Sequence, residues 1–259
     1  FTKFGVILVL SALLCRRQDR IREAGPVVWS LVYLAPLLLL ILKQPDFGTM
    51  MAVLCIWLGM LFFGGARWQH LLAVILVGSI VFGAAWQGGI LKPHQKDRLS
   101  VFLNPDPTSD VAKREGYHIT QSLIAIGGGQ ITGQGWAKGM QNRAGYVPEK
   151  TTDFIFAVVA EELGFAGSAL LVFLYLCLLL RSAQVAMTTD NYFGVLIAGG
   201  WTALIGFHAI VNLGMTMRVM PITGVPLPFF SYGGSSFLAF AMCIGLLQSI
   251  SLRRHRLSF

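Results

Sequence analysis

FIFAVVAEELGFAGSALLVFLYLCLLLR, Phe154 to Arg181, decides the architecture. Before Arg181 the only charged side chains in this run are Glu161 and Glu162. The hydrocarbon core of a bilayer takes about 20 apolar residues of helix, with roughly 17 to 25 tolerated. Phe154 to Leu180 is long enough to cross. The same length divides the remaining apolar sequence into Phe4 to Cys15, Pro26 to Leu42, Gly48 to Gly64, Leu71 to Leu91, Phe193 to Leu213 and Ser231 to Ile250. The first of these is too short to span, as expected of a chain that begins inside a helix. Of the 259 residues, 55% are hydrophobic and only 12% charged, and the mean hydropathy is +0.66. A soluble domain needs a charged, mixed surface, so disordered chains, secreted disulfide scaffolds and ordinary cytosolic enzymes are excluded. The fold expected is all-α: a polytopic transmembrane helical bundle of about seven spans.

The positive-inside bias orients it. Arg16, Arg17, Arg20 and Arg22 follow the first segment, and placing them in the cytoplasm puts Arg67, Arg181, Arg253, Arg254 and Arg256 there as well. Only Lys3, Lys43 and Arg218 fall in the short loops of the other side, and the C-terminus is cytoplasmic. The other eight basic residues lie in residues 92–153, a long extracytoplasmic loop that also holds Asp97, Asp106, Asp110, Glu115, Glu149 and Asp153. The formal charge of +8 is therefore mainly an orientation signal. No basic stripe with interleaved stacking aromatics is present, and no nucleic-acid partner is expected. Loops of this length are usually functional or disordered, and this one is not low-complexity. Within it, Ile119 to Ile126 is apolar enough to form a short interfacial or re-entrant helix.

Several candidate sites dissolve on inspection. Gly127, Gly128, Gly129, Gly133, Gly135 and Gly139 lack both the GK[ST] ending and the dinucleotide spacing, and read best as turns. A backbone nest for a lipid phosphate is the minority alternative. The five histidines show no paired-ligand spacing, and His208, inside a span, reads as a hydrogen-bond partner. Cys15, Cys55, Cys177 and Cys243 all lie in apolar runs and suggest neither disulfides nor a zinc site.

Asp153 is more informative. It ends PEKTTD at the outer mouth of the fifth segment, where it could simply cap a helix. Yet Glu161 and Glu162 continue into the same segment, and a carboxylate in hydrocarbon costs on the order of 2.5 to 3.5 kcal/mol. Both glutamates should face protein, a polar cavity or a cation. Glu161 follows Asp153 by about 12 Å of helix, so the outer half of the segment is expected to border a wet pocket. Lys3, at the outer end of the first segment, could share that pocket or snorkel to the headgroups. The stretch RVMPITGVPLPFFSYGGSS, Arg218 to Ser236, reads as a re-entrant loop roofing a cavity, with Ser235 or Ser236 as a cap of the last helix.

These residues carry a resemblance to the SEDS family (shape, elongation, division and sporulation), on its RodA side more than its FtsW side. The matching stretches are RLSVFLNPD at Arg98 to Asp106, GYHITQSLIAIGGG at Gly116 to Gly129, GQGWAKGMQ at Gly133 to Gln141, VPEKTTDFIFAVVAEELGFAG at Val147 to Gly167 and NLGMTMRVMPITGVPLPFFSYGGSS at Asn212 to Ser236. The resemblance implies a ten-span fold whose first three spans precede Phe1, and a single membrane-embedded domain over residues 1–259. It also implies a peptidoglycan glycosyltransferase that polymerises lipid II at the outer face of the cytoplasmic membrane. Its partner would be a class B penicillin-binding protein, its role cell-shape maintenance and elongation. The family's essential aspartate maps onto Asp153, expected as general base, and its cavity lysine onto Lys3, expected to act on the pyrophosphate. The glutamate three residues before that lysine would precede residue 1. Glu149, Glu161, Arg218, Ser235 and Ser236 are candidate substrate-binding residues, although Arg218 stands where the family pattern has an apolar residue. A divalent cation, Mg2+ or Mn2+, would suit the leaving pyrophosphate. Two rival functions share the same features: a lipid II flippase using the intramembrane carboxylates, and a noncatalytic scaffold of the cell-wall complex.

Overall fold

A computed structural model of the chain describes residues 1–44, 46–88, 110–146 and 151–254. Every regular element among these residues is helical. In chain order they are α1 (Thr2–Cys15), α2 (Ala24–Lys43), α3 (Phe47–Phe63), α4 (Trp68–Gln87), α5 (Asp110–Gly129), α6 (Met140–Arg143), α7 (Ile155–Thr188), α8 (Tyr192–Thr216) and α9 (Gly234–Arg254), with a 3-10 turn at Gln18–Arg20. The seven expected apolar segments are the helices α1 to α4 and α7 to α9. Of these, α2, α7, α8 and α9 are long and apolar enough to cross a membrane, while α1, α3 and the Trp68–Ala84 part of α4 are shorter apolar helices. α7 runs past the expected end at Leu180 because SAQVAMT, Ser182 to Thr188, contains no Gly or Pro to stop it. The last three residues of the expected fourth segment, 89–91, lie outside the described residues.

The chain divides into two compact units. The first comprises Phe1–Gly78, Cys177–Phe207 and Gly233–Phe259. Its centre is α3, apolar on every face and therefore buried: Ile56, Trp57, Met60 and Leu61 have no exposed surface. The one polar atom this burial strands, the Trp57 indole nitrogen, donates to Ser30 Oγ on α2 at 2.8 Å, and Ser30 in turn donates to the Val27 carbonyl. At Gly59 the absent side chain lets α3 approach Ala203 of α8, the small-residue contact that brings helix backbones together in lipid. Arg17 lies 5.1 Å from the Trp29 ring centroid, a cation–π contact at the charged end of α1.

The second unit comprises Ser79–Leu176 and His208–Tyr232. The apolar Ile119 to Ile126 run is helical as expected, but it is the middle of the longer α5. Its buried Ile119 and Ala125 pack with Phe154, Ala157 and Ile222, and buried Ser122 donates to the Thr216 carbonyl at 3.0 Å. α7 is not one continuous helix. Gly164 has φ 66° and ψ −165°, a conformation open essentially to glycine alone. There the ladder breaks and the preceding loop plugs in: Phe165 and Ala166 donate their amides to the Gln130 and Ile131 carbonyls, at 2.8 and 3.1 Å. In return, the Glu161 and Glu162 carbonyls accept from Gln134 and Gly135, each at 3.0 Å. Gly133 (φ +79°) is the turn that permits this, and a Cβ there would strike the Glu162 carbonyl.

Candidate functional site

Asp153 is held by its own backbone. α7 begins at Ile155, so Phe154 stands in the capping position and Asp153 one residue before it. The carbonyls of Thr151, Thr152 and Asp153 are consequently available, and all three are taken by the segment 212–232. Tyr232 N donates to Thr151 O at 2.7 Å, Ser231 Oγ to Thr152 O at 2.5 Å, and Asn212 Nδ2 to Asp153 O at 2.9 Å. Asn212, with no exposed surface, also donates to the Val225 carbonyl at 2.8 Å. Both partners are carbonyl oxygens, which only accept, so the orientation of this amide is fixed by chemistry.

The proline-rich segment is itself tied down. Ser231 Oγ accepts from Leu227 N at 2.7 Å. His208 Nδ1 meets the Pro226 carbonyl at 2.8 Å, which requires the proton on that nitrogen. Tyr175 Oη donates to the Pro228 carbonyl. Phe154, 3% exposed, is sunk in the core formed with α5. Asp153 is half-buried, and its carboxylate lies beside Gly224, where an added Cβ would stand 3.4 Å from Oδ2. Gly224 has φ +67°. The arrangement is a carboxylate on a braced backbone, next to a loop whose main chain comes close because it carries no side chain there.

The other expected residues are distributed differently. Glu161 and Glu162, 0% and 8% exposed, face protein. Glu161 accepts from the amides of Gln141 at 2.6 Å and Asn142 at 3.1 Å, and Met140 N donates to Gln134 Oε1 at 2.9 Å. These are the otherwise unpaired amides of the first turn of α6, which attract negative charge. Glu162 accepts from Ala137 N at 2.9 Å and Asn142 Nδ2 at 2.8 Å. The wet pocket expected along a continuous outer helix is thus replaced at Glu161 by a buried anchor for the loop 130–145. Arg218 is exposed with φ +58°. Its amide donates to the Met215 carbonyl and that of Val219 to the Gly214 carbonyl, the Schellman closure of α8, with arginine in the left-handed position that glycine usually fills. Ser236 donates to the Gly233 carbonyl at 2.9 Å and Ser235 is exposed; the residue preceding α9 is Gly233. Lys3, in the first unit, is half-buried in the first turn of α1 under the electrostatic influence of Asp46. Glu149 lies outside the described residues, as does the RLSVFLNPD motif.

Among the described residues no three His, Cys, Asp or Glu side chains form a group able to hold a metal ion. Asn212 and Ser231, absent from the sequence-based candidates, are the residues that brace Asp153. The signal for Asn212 was an amide inside an apolar run, where a polar side chain needs a partner.

A helical membrane protein with several spans, carrying a braced carboxylate at the mouth of one of them, is the class these features define. The cell cycle protein family of FtsW, RodA and SpoVE matches residues 1–256, and the chain belongs to it. It is 40% identical over 221 residues to the peptidoglycan glycosyltransferase MrdB of Escherichia coli K12, covering 85% of this chain and 58% of MrdB. The chain thus spans less than two thirds of that relative's length. Among solved structures, it is similar to a chain of a peptidoglycan synthase complex that coordinates polymerization and crosslinking. The TM-score is 0.78 at 33% identity, over 97% of this chain and 68% of the other. The crystal structure of the rod shape determining protein RodA of Thermus thermophilus gives a TM-score of 0.60 at 28% identity, over 99% of this chain and 65% of that one.

Proposed function

We propose that this chain is the catalytic membrane part of a peptidoglycan glycosyltransferase that polymerises lipid II at the outer face of the bacterial cytoplasmic membrane. In this reading its C-terminus is cytoplasmic and it works with a class B penicillin-binding protein. The names of its relatives support the activity, and the complex among the similar structures supports a crosslinking partner. The observation that carries the site is the bracing of Thr151 to Asp153 through their main-chain carbonyls, which fixes the backbone that bears a half-buried carboxylate.

The acceptor sugar's 4-hydroxyl is a poor nucleophile and needs a base within hydrogen-bond reach. As its oxygen bonds to the donor's anomeric carbon, its proton passes to Asp153. The bond from that carbon to the pyrophosphate oxygen breaks, and the electron pair departs with the polyprenyl pyrophosphate. For the charge growing on that leaving group Lys3 is the candidate by family resemblance alone. In full-length protein purified in detergent with its penicillin-binding partner, Asp153→Asn should lower lipid II polymerisation by at least ~10²-fold while folding is kept. Wild-type rates in the variant would remove Asp153 from the chemistry. Absence of glycan chains even from the wild type would favour a transporter, since detergent leaves no second compartment.

A further inference from the structure

α7 is longer than a bilayer requires, and its excess locates the loop that precedes it. Ile155–Thr188 covers 34 residues across its break at Gly164, whereas the hydrocarbon core takes about 20. Counting back by that length along the sequence from Arg181, the end that the charge bias puts in the cytoplasm, reaches Glu161 and Glu162. The break at Gly164 therefore falls at the outer membrane boundary. The backbone pairing of Gln130 to Gly135 with Glu161 to Ala166 holds the loop at that level.

Its outward side chains suit the position. Ile131 is 71% exposed, Trp136 79% and Met140 71%, and Phe165, bonded through its amide to the Gln130 carbonyl, is 71% exposed. A water-facing surface of this composition would be an aggregation liability. Lys138 and Arg143 are exposed beside these apolar groups, and residues 130–146 contain no Asp or Glu. The two glutamates that contact the loop are buried against its amides. A short stretch with three exposed large apolar side chains, an indole among them, and exposed cations close by in sequence matches the interface between acyl chains and anionic headgroups.

We infer that residues 130–146 form an interfacial anchor whose Ile131, Trp136 and Met140 insert into the outer leaflet. This goes beyond the catalytic reading and rests on the topology proposed with it, not on the chemistry of Asp153. The test uses full-length protein in vesicles of phosphatidylethanolamine and phosphatidylglycerol, with and without lipids brominated near the top of the acyl chain. The fluorescence difference between wild type and Trp136→Phe isolates this indole. That difference should lose most of its intensity to brominated lipid and resist aqueous iodide. Met140→Trp, which adds an indole to the same surface, should be quenched by bromine in the same way and supplies the reading if Trp136→Phe does not fold. Quenching by iodide with no response to brominated lipid would overturn the inference and leave the surface to a protein partner.

Discussion

Arg218 shows how far a single residue can be from its apparent purpose. A cation in the otherwise uncharged stretch from Asn212 to Ser236 invites a role with an anionic ligand, yet its backbone closes α8 in a left-handed conformation. For a non-glycine residue that costs roughly 1–2 kcal/mol, offset in part by the ~0.3–1 kcal/mol a cation gains at a helix C-terminus. Arg218→Gly should therefore melt at or slightly above the wild-type temperature and keep polymerising. Arg218→Val, β-branched where φ is positive, should melt lower. Loss of polymerisation in Arg218→Gly at an unchanged melting temperature would return Arg218 to the substrate. Sequence could not reveal this, because arginine carries none of the preference for positive φ that marks Gly or Asn. Asp153 stood out as a candidate in the sequence because it is a carboxylate at the mouth of an apolar run. Its bracing did not, since the partners of three consecutive carbonyls lie some 60 to 80 residues along the chain.

At the scale of elements, hydrophobicity recognised α7 and concealed its break. Apolar residues on both sides of Gly164 read as one helix, and an isolated glycine is ordinary inside a span. The clue was the pair Glu161-Glu162 directly before it: two carboxylates need hydrogen-bond donors, and amides freed elsewhere supplied them. Gly164→Ala would force a side chain into a glycine-only region and against the Gly133 backbone nitrogen, at a cost of at least ~1–3 kcal/mol. The expected result is release of the loop 130–146, read as faster proteolysis within it while the spans remain protected. Unchanged cleavage would mean that the pairing across the break is not what holds the loop.

For the whole molecule, the clearest information in the sequence was length and charge. Seven apolar runs became seven helices, all but α7 within a few residues of their expected ends, because the span length is imposed by the bilayer and not by specific contacts. In the proposed topology the basic residues on alternate loops orient them. A C-terminal fusion to a fluorescent reporter that matures only in the cytoplasm should glow, and an alkaline phosphatase fusion there should stay inactive; the opposite pair of results would invert the topology. The loop latched into α7 has a consequence for how variation in this chain would be interpreted. In a library carrying every single substitution, Gly133 and Gly164 should tolerate almost nothing, as severely as Asp153 itself. A map of intolerance alone would enlarge the apparent active site to include a joint in the scaffold, and only a measurement that separates folded amount from turnover would divide the two.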